Sequence, residues 1–435
     1  MILSLQLSKV ALISLIIVIF LSGCADEELQ VREDILEARQ YLKENSQEIN
    51  LAQDISFAEF EEDIKNYDLF LTGEDHGVAV NKEVAFWFLK YLNQKVGIKY
   101  YLGELGYSRA YFINQYLSTG DENYLNICFK TSQGGNSYTE EYYSFWQNIY
   151  NYNQTLAVED RIEVVGIDAT IYGAFLIPLH MKDILPETKE VPSQLEEAIN
   201  DIDSFSNWIL EKANEGTLLE VGQDDVHDFF ISSRWEVIKT DKNNVVSGYL
   251  GAEVYNEFLK LIEDGEEAIA VDAADNFWQK REETMMNNFA EIYPQLEPGK
   301  FYGQWGAGHI LREHAQEYSD INLDRFIGEY IDTEIEGLEG KVFSIYFIYE
   351  DCYSHKRGSV SDKDEVLRYY KDFSDPIVLC RLLGTGSPFA DEFYLDEIFN
   401  NTSGGPTIDY FQSVLYLKGF GESTDLGELP AVYLD

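Results

Sequence analysis

Three observations predict an α/β fold for this chain, a mostly parallel sheet flanked by helices. First, four short apolar runs, within Asp68 to Thr72, Ile98 to Glu104, Ile162 to Asp168 and Lys300 to His309, have the length and composition of strands. Second, the first three are separated by stretches with apolar residues at helical spacing, the alternation expected of a parallel sheet. Third, every run closes on a glycine-punctuated turn bearing an acid or a histidine: Gly73-Glu74-Asp75-His76-Gly77, Gly103-Glu104, Gly166-Ile167-Asp168 and Gly306-Ala307-Gly308-His309. Ligands of open α/β sheets bind at the C-terminal strand edge, so the pattern points to an enzyme.

Taken in order, the chain opens with a weakly basic start ending at Lys9, an apolar core from Val10 to Leu21, and then Ser22-Gly23-Cys24. This describes a secretory signal over residues 1–23. The core is short of the ~20 apolar residues that a membrane-spanning helix needs. Cys24 after Leu21-Ser22-Gly23 resembles the lipobox of bacterial lipoproteins, so lipidation is expected at Cys24. The expected location is the cell envelope, anchored by lipid to a bacterial membrane on its extracytoplasmic side. Residues 24–50 read as a tether and an N-terminal helix, Glu28 to Asn50, with Ile35, Ala38, Tyr41 and Leu42 at helical spacing.

Further helices are expected at Phe57 to Tyr67, Val80 to Val96, Ser108 to Leu117 and Tyr138 to Tyr152. Between the third and fourth strands, about 171–296, strand signals thin out. Helical segments at Leu195 to Asn214, Phe229 to Thr240, Ala252 to Glu263 and Glu267 to Tyr293 form a large insertion, expected to build a cap or cleft wall. Apolar runs at Val342 to Tyr349, Pro376 to Leu383 and Phe411 to Lys418 read as strands extending the same sheet. Residues 51–435 therefore form one domain.

Composition excludes some partners. With 32 basic against 78 acidic residues the formal net charge is −46, which makes nucleic acid a poor partner and leaves membrane attachment to the acyl anchor. Such a field favours solubility, and it concentrates cationic substrates or divalent metals. Beyond Cys24 the chain has Cys128, Cys352 and Cys380. An odd, sparse set is no disulfide framework: a Cys352–Cys380 bridge is compatible with export, but three buried thiols are the expectation.

The chemistry-bearing candidates sit at the strand ends. A carboxylate two residues from a histidine, as in Glu74-Asp75-His76, orients the imidazole and raises its basicity. Glu104 faces the same crevice if its strand neighbours the first. Asp168 reads equally as a turn acid or as a substrate-binding group. Arg281, Met285 and Asn288 share one helical face; Arg281 suits binding of a carboxylate or of developing negative charge, and Asn288 is a candidate substrate contact. The glycines around Trp305 let backbone approach a ligand, which makes Trp305 a further candidate, and they aim His309 inward. His180, His227, His314 and His355 lack comparable settings and read as structural or surface residues. No Gly-x-Ser-x-Gly elbow is present.

The order Gly-Glu-x-His-Gly at a strand end, Glu104 after the second strand, Gly-x-Asp after the third, Arg281-Glu282-x-x-Met285-x-x-Asn288 in a helix and Gly306-x-Gly308-His309-Ile310 resembles the erythromycin esterase family, over about residues 65 to 315. The resemblance implies a hydrolase that cleaves an ester or macrolactone with water and requires no cofactor. It implies His76 as general base, Glu74 and Glu104 orienting it, and His309 and Arg281 as the late histidine and the helical arginine. One residue separates Glu74 from His76 where the family has two, and Val78 and Ala79 stand where a second histidine often follows. The shorter spacer is closer to related superfamilies of metal-dependent proteases and haem-binding lipoproteins. The alternative expectation is therefore a metal-dependent hydrolase, or a haem- or metal-binding surface lipoprotein, in which Glu74, His76, Glu104 and His309 would hold a divalent metal.

Overall fold

In a computed structural model the structure describes residues 33–434 apart from 54–55, 187–188, 314, 317–324, 393, 395–400 and 403. The expected signal, Cys24 and His314 lie outside the described residues. Eight strands form one sheet: β1 (Ser46–Glu48), β2 (Leu69–Glu74), β3 (Ile98–Gly103), β4 (Glu163–Gly166), β5 (Lys300–Gly306), β6 (Val342–Glu350), β7 (Ile377–Arg381) and β8 (Ser413–Lys418), in the order β1-β7-β8-β6-β2-β5-β3-β4. The six strands from β8 to β4 run parallel, and β7 and β1 add an antiparallel edge. Successive side chains of a strand point to opposite faces. Along β6, Val342, Tyr346 and Ile348 accordingly enter one apolar cluster, and Phe343, Ile345, Phe347 and Tyr349 the other. Both faces are covered, as an α/β sheet requires.

Helices α1 (Val80–Val96), α2 (Tyr107–Thr119) and α3 (Glu140–Asn153) make the early crossovers. Helix α1 stops at Gly97, whose φ of 72° lets its N–H reach back to the carbonyls of Leu92 and Asn93. The long insertion carries α4 (Glu196–Glu215), α5 (Ala252–Asp272) and α6 (Phe277–Ile292). The three C-terminal runs join the sheet as β6, β7 and β8.

Two expectations are corrected, and one condition that the sequence left open is decided. The N-terminal helix does not reach Asn50: it covers 33–44 of the described residues, and β1 follows, pairing Ser46 to Glu48 with β7. Tyr41 O accepts both Asn45 N and Asn45 Nδ2, which closes the helix. The break expected between Glu263 and Glu267 lies inside α5. The true break follows Asp272, where Asn276 caps α6 by accepting from Gln279 N. Finally, β2 and β3 are not neighbours, because β5 inserts between them.

Cys128, Cys352 and Cys380 are free and buried, with no 352–380 bridge. Among the described residues, no helix is long and apolar enough to cross a membrane.

Candidate active site

The insertion of β5 assembles the site. Glu74, the last residue of β2, lies in register with Gly306, the last of β5. Gly306 N donates to Glu104 Oε2 at 3.0 Å, which ties the end of β3 to the same point. A Cβ on Gly306 would lie 3.3 Å from His309 Cδ2 and 3.5 Å from His76 Nε2 and Cε1. The two imidazoles therefore flank one spot above a residue with no side chain. The φ of Gly306 is −54°, so its value here is space rather than backbone freedom.

Each imidazole has its own carboxylate. His76 Nδ1 meets Glu74 Oε1 at 2.7 Å, which assigns the proton to Nδ1 and leaves Nε2 as an acceptor facing the cavity. Glu74 is held in turn: its Oε2 accepts from Asn81 Nδ2, and Lys82 Nζ lies 3.5 Å from Oε1. Asn81 sits in the first turn of α1, and its Oδ1 accepts from Tyr349 OH at 3.0 Å. Tyr349 OH also accepts from Asp75 N at 3.0 Å. The second imidazole, His309, is hydrogen-bonded through Nδ1 to Glu282 Oε1. Glu282 Oε2 accepts from Ile327 N at 3.0 Å, and His309 Nε2 lies 3.6 Å from Glu104 Oε1.

Arg281 fastens the strand ends together. Its Nε and Nη2 bind Asp168 Oδ1 and Oδ2, both at 2.8 Å, and Nη2 also reaches Glu104 Oε1 at 2.8 Å. Such forked pairing is what a guanidinium does best.

The charges follow from these pairings. Burial pushes the Glu74 carboxyl up, but Lys82 and His76 outweigh it and hold it down at about 2. For Glu104 burial is again outweighed, by His309, Arg281 and His76, and it ionises well below the usual range. Burial disfavours charge on His309, yet Glu282 and Glu104 raise it to about 9. Glu74 and Glu104 likewise lift His76 above the ordinary 6.5. At neutral pH His309 is thus an imidazolium, a proton donor within the site.

The cavity around this group is about 860 Å³, of a size for a small-molecule ligand. Glu74, His76, Glu104, Asp168, Arg281, Glu282 and His309 all line it, and the insertion contributes Phe277 and Trp278 to its wall. Trp305 and Asn288 do not line it. Trp305 is buried, with Nε1 donating to Leu102 O at 2.9 Å. Asn288 Nδ2 donates to Ile167 O at 2.9 Å and its Oδ1 accepts from Lys260. Both brace the sheet beneath the site, so neither is placed to touch a substrate. Asp168 reaches the cavity with both oxygens committed to Arg281.

Sequence reasoning missed Asn81 and Lys82, gave Glu282 no role of its own, and read Gly306 only as one of the glycines around Trp305. Glu282 stood beside Arg281 in the same run; its signal was adjacency alone.

The four side chains considered as a metal set, Glu74, His76, Glu104 and His309, do not form one. Glu74 binds His76 and Asn81, Glu104 binds Arg281 and Gly306, and His309 binds Glu282. Among the described residues, no group of three or more His, Cys, Asp or Glu is placed to hold a metal ion.

A serine nucleophile finds no support either. Among the described residues no Ser, Thr or Cys side chain bonds to the ring of His76 or His309. Ser108 Oγ does meet His180 Nδ1 at 3.2 Å, and His180 Nε2 meets Glu257 at 3.1 Å. That trio lies outside the cavity lining, with the ring stacked on Tyr111 at 3.7 Å. It is core structure, as His180 was read.

Gly306→Ala tests the geometry. Its backbone conformation suits alanine, and the 3.3 Å approach to His309 Cδ2 asks the ring to shift only by a few tenths of an ångström, so the variant should fold. The added methyl fills the spot between the rings, where a misplacement of about 1 Å costs roughly 10²-fold in rate. Wild-type turnover by a folded Gly306→Ala protein would show that no reacting atom sits there.

No protein-family model and no curated protein matches the chain. Three solved structures resemble it in fold. A protein from Bacillus cereus shares 15% identity at a TM-score of 0.62, covering 90% of this chain and 99% of that one. A succinoglycan biosynthesis protein shares 12% identity at 0.60, covering 89% and 97%. A mutant of erythromycin esterase EreC in its open conformation shares 12% at 0.60, covering 88% and 99%. At these identities the likeness is one of fold.

Proposed function

We propose that this chain is a hydrolase that cleaves a carboxylic ester or lactone with water activated by His76. The observation that carries the reading is the pair of Glu–His dyads, Glu74–His76 and Glu282–His309, flanking one open point over Gly306. The fold shared with an erythromycin esterase supports it.

In this reading neutral His76 takes a proton at Nε2 from water, and the oxygen attacks the ester carbon. The carbonyl π electrons move to oxygen, and the His309 imidazolium donates a hydrogen bond to the oxyanion. When the C–O bond breaks, the alkoxide takes the proton that His76 acquired, and acid and alcohol leave. General-base catalysis contributes roughly 10²–10⁴-fold and one oxyanion donor on the order of 10²–10³-fold. Arg281, with Nε and Nη2 spent on Asp168 and Glu104, is a positioning residue. Leu21-Ser22-Gly23-Cys24 supports attachment to the outer side of a bacterial membrane through a lipid on Cys24.

The test is acid release, followed by pH-stat, from a panel of esters and lactones supplied to the purified full chain in mild detergent. A panel on which no member is hydrolysed would overturn the proposal.

The pH profile is a second expectation. His76 must be neutral, so kcat/KM rises as pH climbs through a value above 6.5; His309 must be charged, so it falls as pH passes about 9. Glu282→Gln removes the largest influence raising His309 and should move the alkaline limb below pH 9. An unmoved limb would assign it to another group.

A further inference from the structure

Among the described residues, one cation of the cavity has no acid paired with it. Five carboxylates line it, and each has a partner: Glu74 pairs with His76 and Lys82, Asp75 with Arg357 at 2.9 Å, Glu104 and Asp168 share Arg281, and Glu282 pairs with His309. No carboxylate remains for a cationic substrate, despite the net charge of −46. The cations are not all matched. Arg109, in the first turn of α2, lines the cavity, and among the described residues its Nη1 bonds only to Ser132 Oγ, at 3.3 Å. Among the described residues no carboxylate lies within ion-pair distance of it. The Ser132 hydroxyl donates to Cys128 O at 3.1 Å, which turns its lone pairs toward the guanidinium and holds it in place.

An arginine stays charged, and a partly buried one with a single hydroxyl partner has unused donors. In a chain with 32 basic residues against 78 acidic, its remaining unmatched is a specific feature of this cavity. The insertion supplies the opposite character: Trp278 and Tyr172 line the same cavity with 43% and 46% of their surface exposed. Exposed aromatics in a cavity that also presents the Arg109 guanidinium suit a ligand with an apolar body and an anionic end.

We infer that the substrate is an ester carrying a free carboxylate, which Arg109 binds while the apolar portion rests on Trp278 and Tyr172. This rests on the hydrolase reading, which it narrows to a substrate class. The carboxylate suits the planar fork of a guanidinium, which pairs with it through two parallel N–H···O bonds.

Two measurements separate this inference from its premise. The first compares kcat/KM for monophenyl glutarate and phenyl butyrate, an anionic and a neutral ester of similar length. The wild type should prefer the anion by roughly 10- to 100-fold, the range of a hydrogen-bonded charge pair. Arg109→Gln should bring the ratio toward one, mainly through KM, and Arg109→Lys should restore part of it.

The second uses titration calorimetry with glutaric acid monoanilide and butyranilide, amides that probe binding without ester turnover. Here the anion should bind more tightly to wild type, and Arg109→Gln should abolish the difference. If no ester is hydrolysed but this difference appears, the hydrolase reading fails and the carboxylate site stands. Equal binding of both anilides by the wild type overturns the inference. Undiminished binding of the monoanilide by folded Arg109→Gln does so too.

Discussion

His76→Gln lowers kcat by about 10²–10⁴-fold, the range for removal of a positioned general base, while KM changes little. Glutamine is chosen because its amide N–H can still satisfy Glu74 Oε1, so the buried carboxylate keeps a donor. Glu74 also retains Asn81 Nδ2 and the nearby Lys82 ammonium. The ring of His76 is 33% exposed, so its loss removes little packing and the variant should unfold at the wild-type temperature. The measurement is steady-state hydrolysis of the best ester of the panel. Turnover at the wild-type rate would remove His76 from the chemistry and leave His309 as the remaining imidazole at the site.

Arg281→Met produces the largest stability effect. Arg281 is buried and pairs with two carboxylates just beyond the ends of different strands. Breaking a buried pair by removing one partner costs about 3–5 kcal/mol, because an uncompensated charge stays behind. Urea unfolding should report a loss of that order. Adding Asp168→Asn and Glu104→Gln to Arg281→Met should recover much of it, since both charges are then gone and the residues are in direct contact. A single-variant loss below about 0.5 kcal/mol, the range of ordinary surface substitutions, would mean that the three groups are solvated and do not tie the strand ends together. Some activity should be lost as well, because Glu104 holds Gly306 N and helps to raise both histidines.

Much of the frame is legible in the amino-acid sequence. The runs that became β2 to β8 were visible as apolar segments between turns, because strand burial imposes a local pattern. The acids and histidines at their ends were visible because glycines punctuate those turns. Glu74 with His76 could be paired on sequence, since a single residue separates them. Boundaries set by a single polar contact were less visible: the first helix gives way to the edge strand β1, and α5 runs on to Asp272. Trp305 and Asn288 misled because a glycine-rich setting and a shared helical face do not say which side of the sheet a side chain enters. Each is consumed by a carbonyl beneath the site, at Leu102 O and Ile167 O.

By itself, then, the sequence determined an α/β sheet with acidic and histidine-bearing strand ends and a long helical insertion, because strand length, turn chemistry and apolar periodicity are local properties. Only the tertiary structure decided that β5 lies between β2 and β3, and so that both imidazoles meet over Gly306. It alone decided that Glu282 is the partner of His309, and that Arg281 closes on Glu104 and Asp168 while Arg109 meets no carboxylate among the described residues. Those pairings join residues 27 to 177 positions apart. They are set by strand order and by the need to neutralise each buried carboxylate, and neither leaves a periodic trace in the chain.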